Sequence, residues 1–524
     1  MNRLITTMLL SMVAISALSQ EKSNRPTLVI GIMIDQLRSD YLESLQSHFG
    51  QNGFNRLMRN GAYFESVDFG VANLDQVSAS AIIFTGAYPC INGIPSEKVY
   101  SSKIRLPENV LTDVSKIGNF TNETLSPQAL AVSTIADELR IDNDGLGYVY
   151  SIAPDAQQAI ILAGHAGNSA FWINDATGKW ATTTFYKDVP KFMPLRNYQS
   201  PLSTRLDTMS WQPALSLSEY PEIKAWRKYY PFKYIFPQTD KDCYRAYKNS
   251  ALVNEEVTSV AIDYIQSLRL GKRDNLDMLN IAYTVAPYQY GLANDNSVEL
   301  QDSYIRLDRQ LNKLFSVIDK SVGLNNTLIF VSSTGYFNET TKDATKFNIP
   351  TGEFSPKRAV SLLNMYLMAV YGNGEWVQDY HNRQFFLNRK LIKDKSIDLQ
   401  EIRSKASILL RQVSGISDAY TLDEVNNPTS DSARRLKHAT TAIYAGDILV
   451  EINPGWEITE TQSTQNKVKQ VRNNMINAPA FILAPDIKPQ KISSVVDATF
   501  LAPTVSRLLR IRSPNAAQAM PISL

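Results

Sequence analysis

The chain is short of the residues that most often carry metal and thiol chemistry: its 524 residues include only four histidines, His48, His165, His381 and His438, and two cysteines, Cys90 and Cys243. Two cysteines allow at most one intramolecular disulfide. Whether this pair forms in an oxidising compartment stays open, because sequence does not give the Cα separation. Excess charge is lacking too. Lys plus Arg number 53 against 51 Asp plus Glu, a net +2, so nothing points to nucleic acid or an anionic membrane as an electrostatic partner. Beyond residue 19 no run approaches the ~18 apolar residues that a membrane span needs. Internal repeats and low-complexity tracts are also missing.

The first 19 residues read as a secretory signal peptide: a basic start at MNR, an apolar core LITTMLLSMVAISA and small residues at Ala17 and Ser19. No cysteine follows to take a lipid anchor. The expected location is therefore the periplasm or the medium, with no transmembrane segment after cleavage. At 44% hydrophobic and 20% charged residues, residues 20–524 can bury a large core.

Strand and helix signals alternate, as a parallel sheet with helical crossovers requires. TLVIGIMID, residues 27–35, is a buried-strand run ending in a carboxylate, and GFNRLMRNG reads as a short helix ended by Gly61. A helix is expected over 126–140 with a Ser126 cap, and a strand over 147–153. A turn follows at Asp175-Ala176-Thr177-Gly178. Further on come a helix over 254–270, a strand over 277–286, an amphipathic helix over 298–319 and a strand over 327–332. Residues 187–250, rich in Pro, Tyr, Trp and Lys, read as a cap over the sheet's ligand-binding edge. Residues 336–475 are less regular. A closing strand and helix are expected over 478–485 and 498–511.

ANLDQVSASAIIFTGAYPCINGI, residues 72–94, together with 27–35 and AIILAGHAGNSAFWINDATGKWATTTFY, 159–186, resembles the alkaline phosphatase superfamily, in particular its type I phosphodiesterase/nucleotide pyrophosphatase branch and bacterial phosphate-monoesterases within it. The resemblance implies an α/β, largely parallel, doubly wound sheet flanked by helices and carrying a cap insertion. It also implies two zinc ions held by three Asp and three His, with a nucleophilic Thr or Ser on one metal.

Position by position, most of that equipment is replaced. Asp35 matches the first carboxylate ligand and is retained, although metal binding by it alone is doubtful. Gln76 stands at the nucleophile, where a carboxamide can form no alkoxide. Ser80 stands where the family usually has His or Asn-His. The second ligand cluster falls on Pro287 and Gly291, and the third on Ser333 and Thr334. No histidine lies in 461–478, where the family's last ligand is expected. Phosphate-contacting positions read Glu97, Asp155 and Gln157, and a carboxylate at 155 is expected to repel a phosphate dianion by ~4 kcal/mol at about 4 Å.

Ser78 and Ser80 beside Asp75 suggest a displaced nucleophile, or alternatively a helix cap followed by a small-residue face. His165 reads as structural; His381 and His438 sit in no ligand pattern. Trp211, Tyr220, Trp226, Tyr229, Tyr230 and Tyr234 form either a recognition surface or the cap's own core. The expectation is an exported protein that has lost two-zinc phosphoryl transfer, with no cofactor, serving to bind a protein partner or a small ligand in the cleft or cap. The alternatives are a zinc phosphatase or phosphodiesterase with a rearranged site, and a receptor using the emptied cleft.

Overall fold

A computed structural model describes residues 25–221, 223–291, 296–337, 352–459, 468–470 (backbone only) and 477–524. The segment read as a signal peptide and residues 461–467 and 471–476 lie outside the described residues. The strands used below are β1 Leu28–Asp35, β2 Ala62–Phe64, β3 Gly118–Asn119, β4 Val149–Ala153, β5 Ser169–Ile173, β6 Trp180–Thr183, β7 Asp277–Thr284 and β8 Thr327–Ser333; then β9 Val377–His381, β10 Gln384–Leu387, β11 Ile416–Thr421, β12 Ile448–Ile452, β13 Ala480–Leu483 and β14 Gln490–Ile492. The helices are α1 Gln76–Thr85, α2 Ala156–Ala163, α3 Cys243–Lys248, α4 Val253–Ser267, α5 Ser297–Ser321 and α6 Leu501–Leu509.

Ten strands make the central sheet in the order β14-β2-β13-β8-β1-β7-β4-β5-β6-β3. Its middle, β8-β1-β7-β4-β5, is parallel. Antiparallel pairing appears toward the edges, where β13 joins β8 to β2 and β6 follows β5. This is a doubly wound, mostly parallel sheet with helices on both faces. All eight residues of β1 are buried, and strand alternation divides them between two cores. Leu28, Ile30, Ile32 and Ile34 face the core that includes Val257, Tyr264, Leu307 and Leu314 of α4 and α5. Val29 and Met33 face the core that includes Ile82, Ile160 and Val505 of α1, α2 and α6. Each such fully buried aliphatic side chain contributes ~1.5–3 kcal/mol. Gly31 takes the same face as Val29, and only a missing side chain fits there: a Cβ would lie 2.4 Å from Asn280 Oδ1 and 2.7 Å from Phe330 Cζ.

The helix expected over 126–140 is two elements. Ser126 caps only a short 3-10 turn, Pro127–Ala129, and the α-helix Ile135–Asp142 starts after Thr134, whose reciprocal hydrogen bonds with Asp137 form a capping box. The second cap wins because Thr134 and Asp137 satisfy each other's backbone N–H groups.

Within the expected cap lie the helices Phe192–Gln199, Leu202–Leu206 and α3, and the ribbon Ser210–Trp211 with Tyr234–Ile235. Carboxylates of α4 and α5 fix it. Asp302, fully buried, accepts hydrogen bonds from Trp211 Nε1 at 2.6 Å, Tyr220 Oη at 2.7 Å, Ala214 N at 2.6 Å and Arg306 Nε at 2.8 Å. Glu299 pairs with Arg227 and accepts from Tyr234 Oη at 2.7 Å, while Glu256 pairs with Arg196 and Arg205, each at 3.0 Å. The Glu256 carboxyl is held down at about 2: burial opposes its charge and the two guanidinium groups more than offset that.

Residues 354–459 build a separate antiparallel sheet, β9-β10-β12-β11, with a core of Leu363, Trp376, Phe385, Ile402 and Val450. The hairpin tip between β9 and β10, Asn382 and Arg383, rests on the loop before α1: Asn73 Nδ2 donates to Asn382 O at 3.1 Å and Arg383 Nη1 to Ala72 O at 3.3 Å.

Candidate functional site

The cleft opens where β1, β7 and β8 end and where α1 and α2 begin, the usual ligand-binding edge of an open α/β sheet. Asp35 closes β1 and is 7% exposed. Its Oδ1 accepts from Thr334 Oγ1 at 2.9 Å, and Thr334 Oγ1 in turn accepts from Gln36 N at 3.0 Å. Tyr336 also donates to the Asp35 carboxyl. Burial raises the Asp35 pKa from 3.8 to about 6; Tyr336 and Thr334 pull it back, and Asp155 and Asp75 push it further up. Gln36, which follows, has a φ of 59°, a left-handed turn that brings its N–H to Thr334. A position expected to carry a metal ligand thus carries the hydroxyl that satisfies its neighbour. Ser333 Oγ is committed as well, donating to Leu37 O at 2.6 Å.

Gln76 is the first residue of α1, held there by the Asp75/Ser78 capping box. Asp75 Oδ1 accepts from Val77 N and Ser78 N, and Ser78 Oγ is bonded to the same carboxylate. Ser80 Oγ donates to Gln76 O at 2.6 Å and accepts from Gln158 Nε2. Both serines are fully buried. Of the two readings of this segment, the cap and small-residue face is the one observed.

Gln76 Nε2 donates to Asp155 Oδ2 at 3.2 Å, and Asp155 Oδ1 lies 2.7 Å from Lys248 Nζ, which also meets Asp175 Oδ1 at 2.6 Å. Lys248, at the end of cap helix α3, was missed by sequence reasoning, and no local signal marks it. Burial disfavours its ammonium, but the two carboxylates more than compensate and raise its pKa above the ordinary lysine range. Asp155, expected to repel a phosphate dianion, is paired with a cation supplied from the cap that it shares with Asp175. Gln157 Nε2 donates to Glu97 O at 2.9 Å, and Glu97 N donates to Asp75 Oδ2 at 2.6 Å, so Gln157 and Glu97 brace the loop against the head of α1.

Pro287 and Gly291 lie in the loop after β7, under the cap's aromatic residues. A Cβ on Gly291 would lie 3.0 Å from Tyr234 Oη and 3.3 Å from Tyr288 Cδ1, and Tyr288 packs against Trp211 and Tyr234 at ring distances of 5.1 and 4.6 Å. Of the six cap aromatics, Trp211 and Tyr220 are core, Tyr234 is half-buried, and Trp226, Tyr229 and Tyr230 are exposed. Beside the carboxylate of Asp35, the four residues at the second and third expected ligand clusters do not fit a two-zinc site: Pro287 and Gly291 lack donor atoms, and the hydroxyls of Ser333 and Thr334 are already bonded within the chain. Among the described residues no group of three or more His, Cys, Asp or Glu is arranged to hold a metal.

His165 is bonded through both ring nitrogens, to Asp137 Oδ2 at 3.2 Å and Leu130 O at 2.9 Å. His381 Nε2 lies 2.9 Å from Lys98 O. His438 Nδ1 lies 3.0 Å from Gly70 O, with its ring stacked on Tyr88. His48 sits in a short 3-10 turn, Gln46–His48. Cys90 and Cys243 are both free thiols, the first exposed and the second buried.

Residues 29–475 match the family profile of type I phosphodiesterase / nucleotide pyrophosphatase. The chain is 27% identical over 529 residues to alkaline phosphatase PafA of Elizabethkingia meningoseptica, covering 97% of this chain and 96% of that protein. It is 26% identical over 511 residues to alkaline phosphatase PhoV of Synechococcus elongatus, covering 94% and 92%. The crystal structure of wild-type PafA superposes with a TM-score of 0.83 at 25% identity, over 95% of this chain and 98% of that one. The match spans the sheet, the cap and the 354–459 lobe, and the chain belongs to the type I phosphodiesterase / nucleotide pyrophosphatase family of the alkaline phosphatase superfamily.

Proposed function

We propose that this protein is an exported, periplasmic or secreted, member of the family that no longer performs two-zinc phosphoryl transfer and that binds a protein partner or a small ligand through its cleft and cap. The observation that carries the reading is the set Gln76–Asp155–Lys248: the nucleophile position is a carboxamide, and its hydrogen bond goes to a carboxylate paired with a lysine of the cap. No hydroxyl at that position can be activated, and Pro287, Gly291, Ser333 and Thr334 offer no set that would bring a metal to it. No cofactor is expected. Among the described residues no helix is long and apolar enough to cross a membrane.

A second reading draws on the relatives that are named alkaline phosphatases along more than nine-tenths of this chain: hydrolysis of phosphate esters at a rearranged zinc site. One experiment decides between them. The mature protein is assayed with aryl phosphate mono- and diesters and aryl sulfates, with and without zinc, alongside metal analysis and melting in EDTA. The expected result is turnover equal to buffer, no stoichiometric zinc and an unchanged Tm. Saturable, zinc-dependent turnover that survives repurification establishes the second reading instead.

A further inference from the structure

Lys248 reaches the cleft from cap helix α3 with its side chain only 8% exposed, whereas Asp155 and Asp175 are 42% and 43% exposed. The cation therefore lies beneath two carboxylates that face outward. A buried ammonium is tolerated only when paired, and here it is paired twice. Asp155 is gripped from two directions, by Lys248 Nζ on Oδ1 and by the Gln76 amide on Oδ2. An ammonium and a fixed amide N–H at the head of α1 are the donors that would meet an oxyanion entering this end of the cleft. They are spent on a carboxylate of the same chain.

We propose that Asp155 is the internal occupant of an oxyanion seat: its carboxylate fills the place where Lys248 Nζ and Gln76 Nε2 would hold a tetrahedral oxyanion such as phosphate or sulfate, so that the seat is latent in the native chain. This rests on the reading of position 76 as a binding rather than a reacting group, and it requires no metal. The charge count agrees. Lys248 and Arg245 face Asp155, Asp175 and, at the outer rim, Asp242, with Asp35 and Asp75 close enough to Asp155's end of the sheet to add to the negative field, an excess of negative charge that removal of Asp155 lowers. Asp75 does not compete for Lys248, being bonded to the N–H groups of α1 and of Glu97. Asp155 makes no side-chain capping bond to α2, so its loss leaves that helix start intact.

The test uses the mature chain in EDTA, titrated with inorganic phosphate and separately with sulfate by calorimetry and ³¹P line broadening. Asp155→Ala is expected to bind either anion saturably and at least about tenfold more tightly than the parent, and Asp155→Ala/Lys248→Met is expected to lose that gain. A folded Asp155→Ala that titrates like the parent overturns the proposal, as does a double variant that binds as well as the single one. Equal binding of chloride overturns it too, since a non-specific counterion site would then explain the gain. Should Asp155→Ala fail to fold, Asp155→Ser removes the carboxylate and empties the seat, and it must show the same gain. Hydrolysis or zinc in the parent chain would sink the proposed function without touching this titration, which reads binding alone.

Discussion

Asp35→Asn offers the sharpest discrimination between a chain without its metals and one whose zinc has escaped notice. The carboxyl at 35 has a pKa raised from 3.8 to about 6, chiefly by burial. Folding thus favours its protonated form. The corresponding stability is fully present below about pH 3.8 and is lost as pH rises, the loss being complete above about 6. That interval corresponds to ~3 kcal/mol by linkage, an upper bound that any solvent reaching the cleft would reduce. An asparagine keeps an oxygen to accept from Thr334 and cannot ionise. Relative to the parent, the variant should gain up to ~3 kcal/mol at about pH 8 and almost nothing near pH 4. Urea titrations of both proteins at each pH, once with zinc present and once in EDTA, measure the difference, and taking the variant against the parent cancels the other titrating groups. If Asp35 instead bound zinc, its carboxylate would be the favoured form. The zinc-loaded parent would then be the more stable protein at pH 8, by the mass action of the metal. A variant destabilised at pH 8, or one whose difference from the parent does not change with pH, refutes the reasoning.

Gln76→Thr should fold, lose no more than about 1 kcal/mol with the bond to Asp155, and remain inactive toward aryl phosphates; metal-dependent hydrolysis by this single variant would show that the rest of the site was intact. Asp302→Ala should cost ~3–5 kcal/mol, because it leaves the Trp211 N–H and the Tyr220 hydroxyl without their acceptor in a fully buried setting and takes one of three partners from Arg306; an unfolding midpoint close to the parent's, at unchanged m, would contradict that. Gly291→His should lose ~1–3 kcal/mol through crowding against Tyr234 and Tyr288, and an undiminished Tm that rises further with zinc would count against the packing described here.

The central strands and the long helix were legible because burial on both faces leaves continuous apolar runs. The helix read over 298–319 is Ser297–Ser321, and the strand read over 277–286 is Asp277–Thr284. The cap at Asp75 could be read from a short polar residue ahead of an apolar segment. At the site, the departures from the expected pattern at 76, 287 and 291 are visible in the residue types themselves. The partners that the residues there make are not. Lys248 meets Asp155 through a fold-level crossing of cap and core, and Thr334 reaches Asp35 only because Gln36 turns left-handed. Neither relation leaves a pattern along the chain. The helix over 126–140 misled because both Ser126 and Thr134 look like caps, and only the reciprocal partner at Asp137 separates them.

The placement of β2 bears on how the molecule is made. Its sheet neighbours are β13 and β14, so a strand near the front of the chain stays unpaired until segments about 400 residues later arrive. On its β13 side, β8 waits about 150 residues for its neighbour. Such distant pairing slows folding and leaves raw strand edges open to other chains. A chain cut short before Ala480 would keep its first core strands and still expose both edges, so its fate would be self-association rather than a smaller stable domain.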